Sequence, residues 1–157
     1  MVISYICSMK IEDSHNLKFK SEQQKAIVNI RITSNFIGSK QHQLMSKFDL
    51  SMAQFNVLRI LRGAKTHLSV HVVKERMIEK SPNTTRLMDK LIEKELIIRT
   101  RCENDKRIVF VEISEKGLEL LLQIDQKLEE ENFISKGLSD DEAERLNELL
   151  DKVREKW

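Results

Sequence analysis

Arg86 and Lys90 stand four residues apart in the segment SPNTTRLMDKLIEK, with Asn83 and Thr85 just ahead of them. Four residues is just over one helical turn, so on a helix the guanidinium and the ammonium project from one face. A guanidinium placed there can grip the O6 and N7 atoms of a guanine edge bidentately, and short polar side chains beside it can reach a base edge or a phosphate oxygen. The plainer reading is a solvated helix face, with Asp89 and Glu93 nearby to balance the charge. A second concentration of charge lies in RCENDKRIVFVEI, residues 101–113, where Glu103-Asn104-Asp105-Lys106-Arg107 separates the apolar runs LII and IVFV. A loop this charged cannot be buried, so it is expected at the tip of a hairpin. There Lys106 and Arg107 could lie beside phosphates or in a minor groove.

Other reactive groupings are weaker. His67 and His71 have the four-residue spacing of a helical metal pair, but Ser69 reads as a helix cap that leaves His67 outside, and no cysteine or carboxylate nearby completes a ligand set. No metal site is expected. Cys7 and Cys102 are too few for a disulfide framework and suit a reducing compartment. Cys102 follows Arg101, whose charge would lower a thiol pKa. The sequence has no glycine-rich phosphate loop, nucleophile elbow or histidine–carboxylate cluster, so neither an enzyme nor a cofactor is expected.

The elements that must position these residues are well punctuated. Residues 19–47 read as one long helix with Ala26, Ile27, Ile30, Phe36, Ile37 and Leu44 in a broken apolar stripe. Ser51-Met52-Ala53-Gln54 matches a capping box; Phe55, Leu58 and Leu61 follow on one face, and Gly63 is the expected stop. Ser69 caps a short helix that turns Val70, Val73 and Met77 inward. Ser81 and Pro82 read as the cap and first residue of the next helix, in which Thr84, Leu87, Met88, Leu91 and Ile92 form a single buried row. Two helices joined by a short turn, the second with a basic outward face, outline a helix-turn-helix. The period then changes: Leu96–Arg101 and Ile108–Ile113 alternate as two strands, with Val109, Val111 and Ile113 on one face. Ser114 caps a helix through Leu118, Leu121, Leu122 and Leu128, and Ser139-Asp140-Asp141-Glu142 opens a last one through a capping box. Its stripe of Leu146, Leu149, Leu150, Val153 and Trp157 has no later element to cover it. The first and last helices are therefore expected to bury each other's stripes between two copies of the chain.

Composition agrees with one domain carrying extensions. The 157 residues are 40% hydrophobic and 33% charged, enough for one core. The net charge of +2 conceals a gradient: residues 1–67 hold ten Lys+Arg against four Asp+Glu, residues 68–107 ten against seven, and residues 108–157 seven against fourteen. A basic front and an acidic tail suit a chain with one end turned to a polyanion. MVISYICS lacks the basic flank and long apolar core of a signal peptide, and Met9 is a second candidate start, so a cytoplasmic chain is expected.

With these elements in order, LSMAQFNVLRIL, ERM followed by NTTRLMDKLIEK, the loop DKR and the junction VEISEKG together resemble the MarR family of winged helix-turn-helix regulators. The match runs over roughly residues 50–122. The resemblance implies a mainly α (α+β) fold: a dimerisation segment at 1–48, a winged lobe at 49–115 with a two-stranded β wing, and C-terminal dimerisation helices at 116–157. It implies a homodimeric DNA-binding regulator, in the first instance a repressor, on a pseudo-palindromic site in double-stranded DNA, released by a small aromatic or phenolic ligand. It places Ser81, Asn83, Thr84, Thr85, Arg86 and Lys90 on the DNA-reading helix. In the wing, Asp105 would brace the loop and Arg107 would enter the minor groove, with Lys106 in place of the usual arginine. Two departures stand out. The family usually has glycine where this chain has Glu95, so a left-handed backbone there would be strained. Members that sense peroxide carry a cysteine in the first helix, and none lies between Lys18 and Phe48. The competing reading, a winged helix that binds protein, would put apolar anchors where Asn83, Arg86, Asp89, Lys90 and Glu93 stand.

Overall fold

The computed structural model describes residues 10–11, 17–78, 83–101, 108–130 and 137–155. Ser81, Pro82, the wing tip 102–107 with Cys102, Cys7 and Trp157 lie outside the described residues. The chain divides into two compact units, Met1–Met52 and Ala53–Trp157.

The first unit is built on helix α1, Glu22–Ser46. It begins three residues later than residue 19 because Ser21, in extended backbone, accepts the Gln24 amide at 3.2 Å, while Gln24 accepts the Lys20 amide at 2.8 Å. These two bonds satisfy two backbone donors and fix the start. The apolar stripe also differs from expectation. Ala26, Ile27 and Ile30 are exposed, whereas Val28, Ile32, Phe36 and Ile37 are half-buried and Leu44 and Met45 fully buried. At its end the Leu50 amide donates to the Met45 carbonyl and the Asp49 amide to Ser46, with Asp49 at φ 53°. Met45 and Leu50, the apolar pair that accompanies such a closure, are both buried.

Apart from its first residue, helix α2, Met52–Ala64, belongs to the second unit and buries Gln54, Phe55, Val57, Leu58 and Leu61. Gly63 does not stop this helix, which continues through it; the left-handed residue is Lys65, at φ 54°. β1, Leu68–Ser69, leads into α3, Val70–Arg76, where Ser69 accepts the Val72 amide at 3.3 Å as expected and Val73 and Met77 are buried. Helix α4, Thr84–Glu93, is followed by β2, Ile97–Arg101, and β3, Val109–Ile113. The sheet is antiparallel in the order β1-β3-β2, pairing Leu68 with Val111 on one side of β3 and Arg99 with Val111 on the other. The hairpin was expected; the third strand was not, since two residues are too few to show a period. His67 packs edge-on against Phe110 at 4.7 Å beside that pairing.

Helix α5, Glu115–Glu130, turns Gly117, Leu121 and Ile124 into the core, while Leu118 and Leu122 are exposed at 38% and 61%. Arg62 of α2 and Asp125 of α5 pair at 2.5 Å, half-exposed, and tie the two helices together. Helix α6, Asp140–Arg154, has the full capping box at Ser139 and Glu142 but buries no residue.

Candidate nucleic-acid interface

Helix α4 is held in place by its apolar row. Met88 and Leu91 are fully buried and Thr84 is 3% exposed, with Leu87 and Ile92 half-buried along the flanks. The helix starts at Thr84, two residues later than expected. Asn83 is its cap: its φ of −108° and ψ of 37° are not helical, yet its carbonyl already accepts the Leu87 amide at 3.0 Å. Thr84, expected in the DNA-reading set, is buried in the chain. Its place in the i, i+4 row with Met88 turns it inward. Asn83, Thr85, Arg86, Lys90 and Glu93 are exposed on the other side. The structure thus brings together four of the six helix residues expected at the interface. Ser81 and the wing residues Asp105, Lys106 and Arg107 lie outside the described residues.

The end of the segment after α3 is tied to α2, where the Asn56 side-chain oxygen accepts the Ile78 amide at 3.2 Å. Ile78 itself is 88% exposed.

The C-terminal end of α4 explains how a hairpin follows so closely. The Leu96 amide donates to the Leu91 carbonyl at 2.9 Å and the Glu95 amide to Ile92 at 2.8 Å, with Leu91 and Leu96 both buried. This closure requires a left-handed residue, and Glu95 supplies it at φ 61° where glycine would be easier. The start of α5 braces the strained residue. The Ser114 hydroxyl donates to the Glu95 carbonyl at 2.7 Å and accepts the Gly117 amide at 3.0 Å, and the Ser114 amide donates to Leu96 at 3.1 Å. Lys116 pairs with the Glu95 carboxylate at 2.7 Å, and its hydrogen bond and charge hold that carboxyl below the usual range. Gly117 has to be glycine here: a Cβ would lie 2.3 Å from the Leu96 carbonyl oxygen.

One contact was not anticipated. Asp89, read as part of a solvated face, pairs with Arg99 of β2 at 2.5 Å. Its sequence signal was the alternation in IIRTR, which puts Arg99 and Arg101 on the face of the buried Ile97. Among the described residues no group of three or more His, Cys, Asp or Glu side chains could hold a metal ion. His71 pairs instead with Glu75 at 3.3 Å.

A short helix, a turn, an amphipathic helix with a cationic outward face and an antiparallel hairpin define a winged helix-turn-helix. Comparison with known proteins gives the same class. The family model of the transcriptional regulators SarA and Rot matches residues 39–124. The HTH-type transcriptional regulator MhqR of Bacillus subtilis is 33% identical over 119 residues, which span 74% of this chain and 81% of that protein. Among solved structures, a MarR variant from E. coli complexed with operator DNA is 28% identical with a TM-score of 0.66, covering 82% of this chain and 95% of that one. A MarR-like protein from Bacillus cereus shares the fold at a TM-score of 0.74 and 21% identity, over 85% of this chain and 96% of its own. The chain belongs to the MarR family of winged-helix transcriptional regulators.

Proposed function

We propose that this protein is a sequence-specific DNA-binding repressor that acts as a homodimer on a pseudo-palindromic site. The observation that carries the reading is the division of α4: its apolar row is satisfied within the chain, leaving Asn83, Thr85, Arg86 and Lys90 exposed on a face without apolar anchors. Two copies of α4 would enter successive major grooves about one helical turn apart, with the wings reaching outward. Arg86 would read a base edge, and Lys106 and Arg107 would hold the adjacent backbone or minor groove while Asp105 braces them. That a MarR relative is solved in complex with operator DNA supports the DNA-binding reading.

The dimer would form through residues 1–48 and 116–157. Exposed Ile27 and Ile30 on α1, and Leu146, Leu149 and Val153 on α6, supply apolar surface for a second copy to cover. Release from DNA would come from a small aromatic or phenolic ligand that holds the two reading helices at a spacing the grooves do not match. The protein would work in the cytoplasm and carry out no catalysis; among the described residues no helix is long and apolar enough to cross a membrane.

The test is selection of bound fragments from random duplex DNA, with wild type and Arg86→Ala in parallel at near-physiological salt. A palindromic motif enriched by wild type and relaxed by Arg86→Ala is the expected result. Absence of enrichment by wild type, with and without added cell extract to supply a corepressor, would favour a protein-binding winged helix instead.

A further inference from the structure

The strand β2 carries a second cationic feature beside α4. Ile97, Arg99 and Arg101 share one face, opposite Ile113, Val111 and Val109 of β3. Arg99 settles which way that face turns, because its guanidinium reaches Asp89 on α4. Arg101 stands two residues farther out, about 6.8 Å along the strand. It is exposed and makes no ion pair among the described residues. Beyond Ile97 every residue of β2 is exposed, so burial does not fix the outer strand. The ladder with β3 fixes its backbone, and the Asp89–Arg99 pair links its exposed part to the helix.

We propose that Arg101 is a phosphate contact of the wing and that Arg99, clamped by Asp89, is the residue that positions it. The inference rests on the DNA-binding reading above and extends it to residues on the strand itself. Electrostatics favours a polyanion at this edge. Pairing places the Asp89 carboxylate against Arg99, so Asp89 no longer opposes a phosphate beside Arg86 and Lys90. Arg101 is exposed on the face that Arg99 turns toward α4, so its charge adds to that of the exposed Arg86 and Lys90, and phosphate oxygens would relieve the repulsion among them.

The experiment measures binding of the full chain to a pool of random-sequence duplexes of about 30 base pairs, long enough for two half-sites one turn apart, across a salt series. Arg101→Gln should flatten the dependence of log affinity on log salt by about 0.9 per protomer, the effect of one lost phosphate contact. Arg99→Gln should weaken binding about two- to fivefold per protomer, the range of one exposed ion pair. Arg99→Lys and the charge exchange Asp89→Arg with Arg99→Asp should restore most of that loss, because each rebuilds a pair between helix and strand. Thermal unfolding of each variant identifies any loss that comes from misfolding, and the exchange reads the pair where a single variant is unstable. An unchanged salt slope in Arg101→Gln while wild type binds overturns the phosphate contact. Failure of both Arg99→Lys and the exchange to recover binding overturns the positioning role. If wild type itself does not bind the pool, the DNA reading fails, and this inference with it.

Discussion

Helices α4 and α6 are both amphipathic, and they are held by opposite means. In α4 the apolar row is buried to between 0% and 3% at Thr84, Met88 and Leu91, while its cap residue Asn83 makes no side-chain capping hydrogen bond. In α6 the start is secured twice over, by Ser139 and Glu142 bonding each other's backbone, yet Leu146, Leu149 and Val153 are 43%, 55% and 49% exposed. Packing fixes the first helix and local chemistry the second. A helix whose apolar row is complete has only its polar face left exposed; one whose row is bare leaves apolar surface to be covered.

The contrast is tested most severely by shortening one residue in each row. Met88→Ala removes a fully buried side chain next to Leu91 and should cost about 2–5 kcal/mol in urea unfolding. Leu149→Ala should change the stability of the isolated protomer by under about 0.5 kcal/mol. Leu149→Glu should instead shift the chain toward monomer in light scattering. Equal losses of stability from Met88→Ala and Leu149→Ala in dilute protein would mean that α6 is covered within its own chain, and the comparison would break.

The next largest effect is expected where α4 meets the start of α5. Gly117→Ala places a methyl group 2.3 Å from the Leu96 carbonyl and 2.8 Å from Ile113. Backbone must move, at about 1–3 kcal/mol for an overpacked site. Because Leu96 closes α4, the damage should extend to that helix, and on the proposed function DNA affinity should fall as well as the unfolding midpoint. A stable variant with normal affinity would show that the junction does not position α4.

What the sequence made legible follows the same division between local and tertiary causes. The buried row of α4, the caps at Ser69, Ser114 and Ser139, and the hairpin all rest on spacings within a few residues, and the structure has them. Gly63 misled because glycine usually ends a helix, whereas here Lys65 takes the left-handed position and Gly63 stays helical. Thr84 fitted the inward row by period, and it is buried there. The Asp89–Arg99 pair joins residues ten apart across a helix end and a strand, so neither one's neighbours announce it. Ile27 and Ile30 matched a helical stripe, but a period says which residues share a face and not whether that face is covered.

A smaller effect, of opposite sign, is expected at Glu95. Its left-handed backbone is the strained point in the closure of α4, and the ion pair with Lys116 is exposed and screened by solvent. Glu95→Gly should relieve the strain and raise Tm by about 2–4 °C in a chain of this length, with DNA binding retained. A lower Tm would mean that the Lys116 contact outweighs the backbone term.

The smallest effect sharpens the comparison from the side of α6. Glu142 accepts the Ser139 amide at 2.9 Å and lies 3.0 Å from the Ser139 hydroxyl, and these bonds hold its carboxyl below the usual value near 4.5. A carboxyl depressed in the folded state stabilises fully above its unfolded pKa and loses that contribution as pH falls through the folded one. The cap should therefore be intact at neutral pH and weaken below about pH 4.5. Glu142→Gln keeps the shape of the box and removes the titration, so the urea midpoint of the variant should fall less between pH 6 and pH 3 than that of wild type. Because nothing in α6 is buried, the difference should be confined to that helix: far-ultraviolet circular dichroism should register it, and the environment of Met88 in α4 should not change. A matching change at Met88 would mean that α6 is coupled to the core of the lobe, and that capping is not all that secures it.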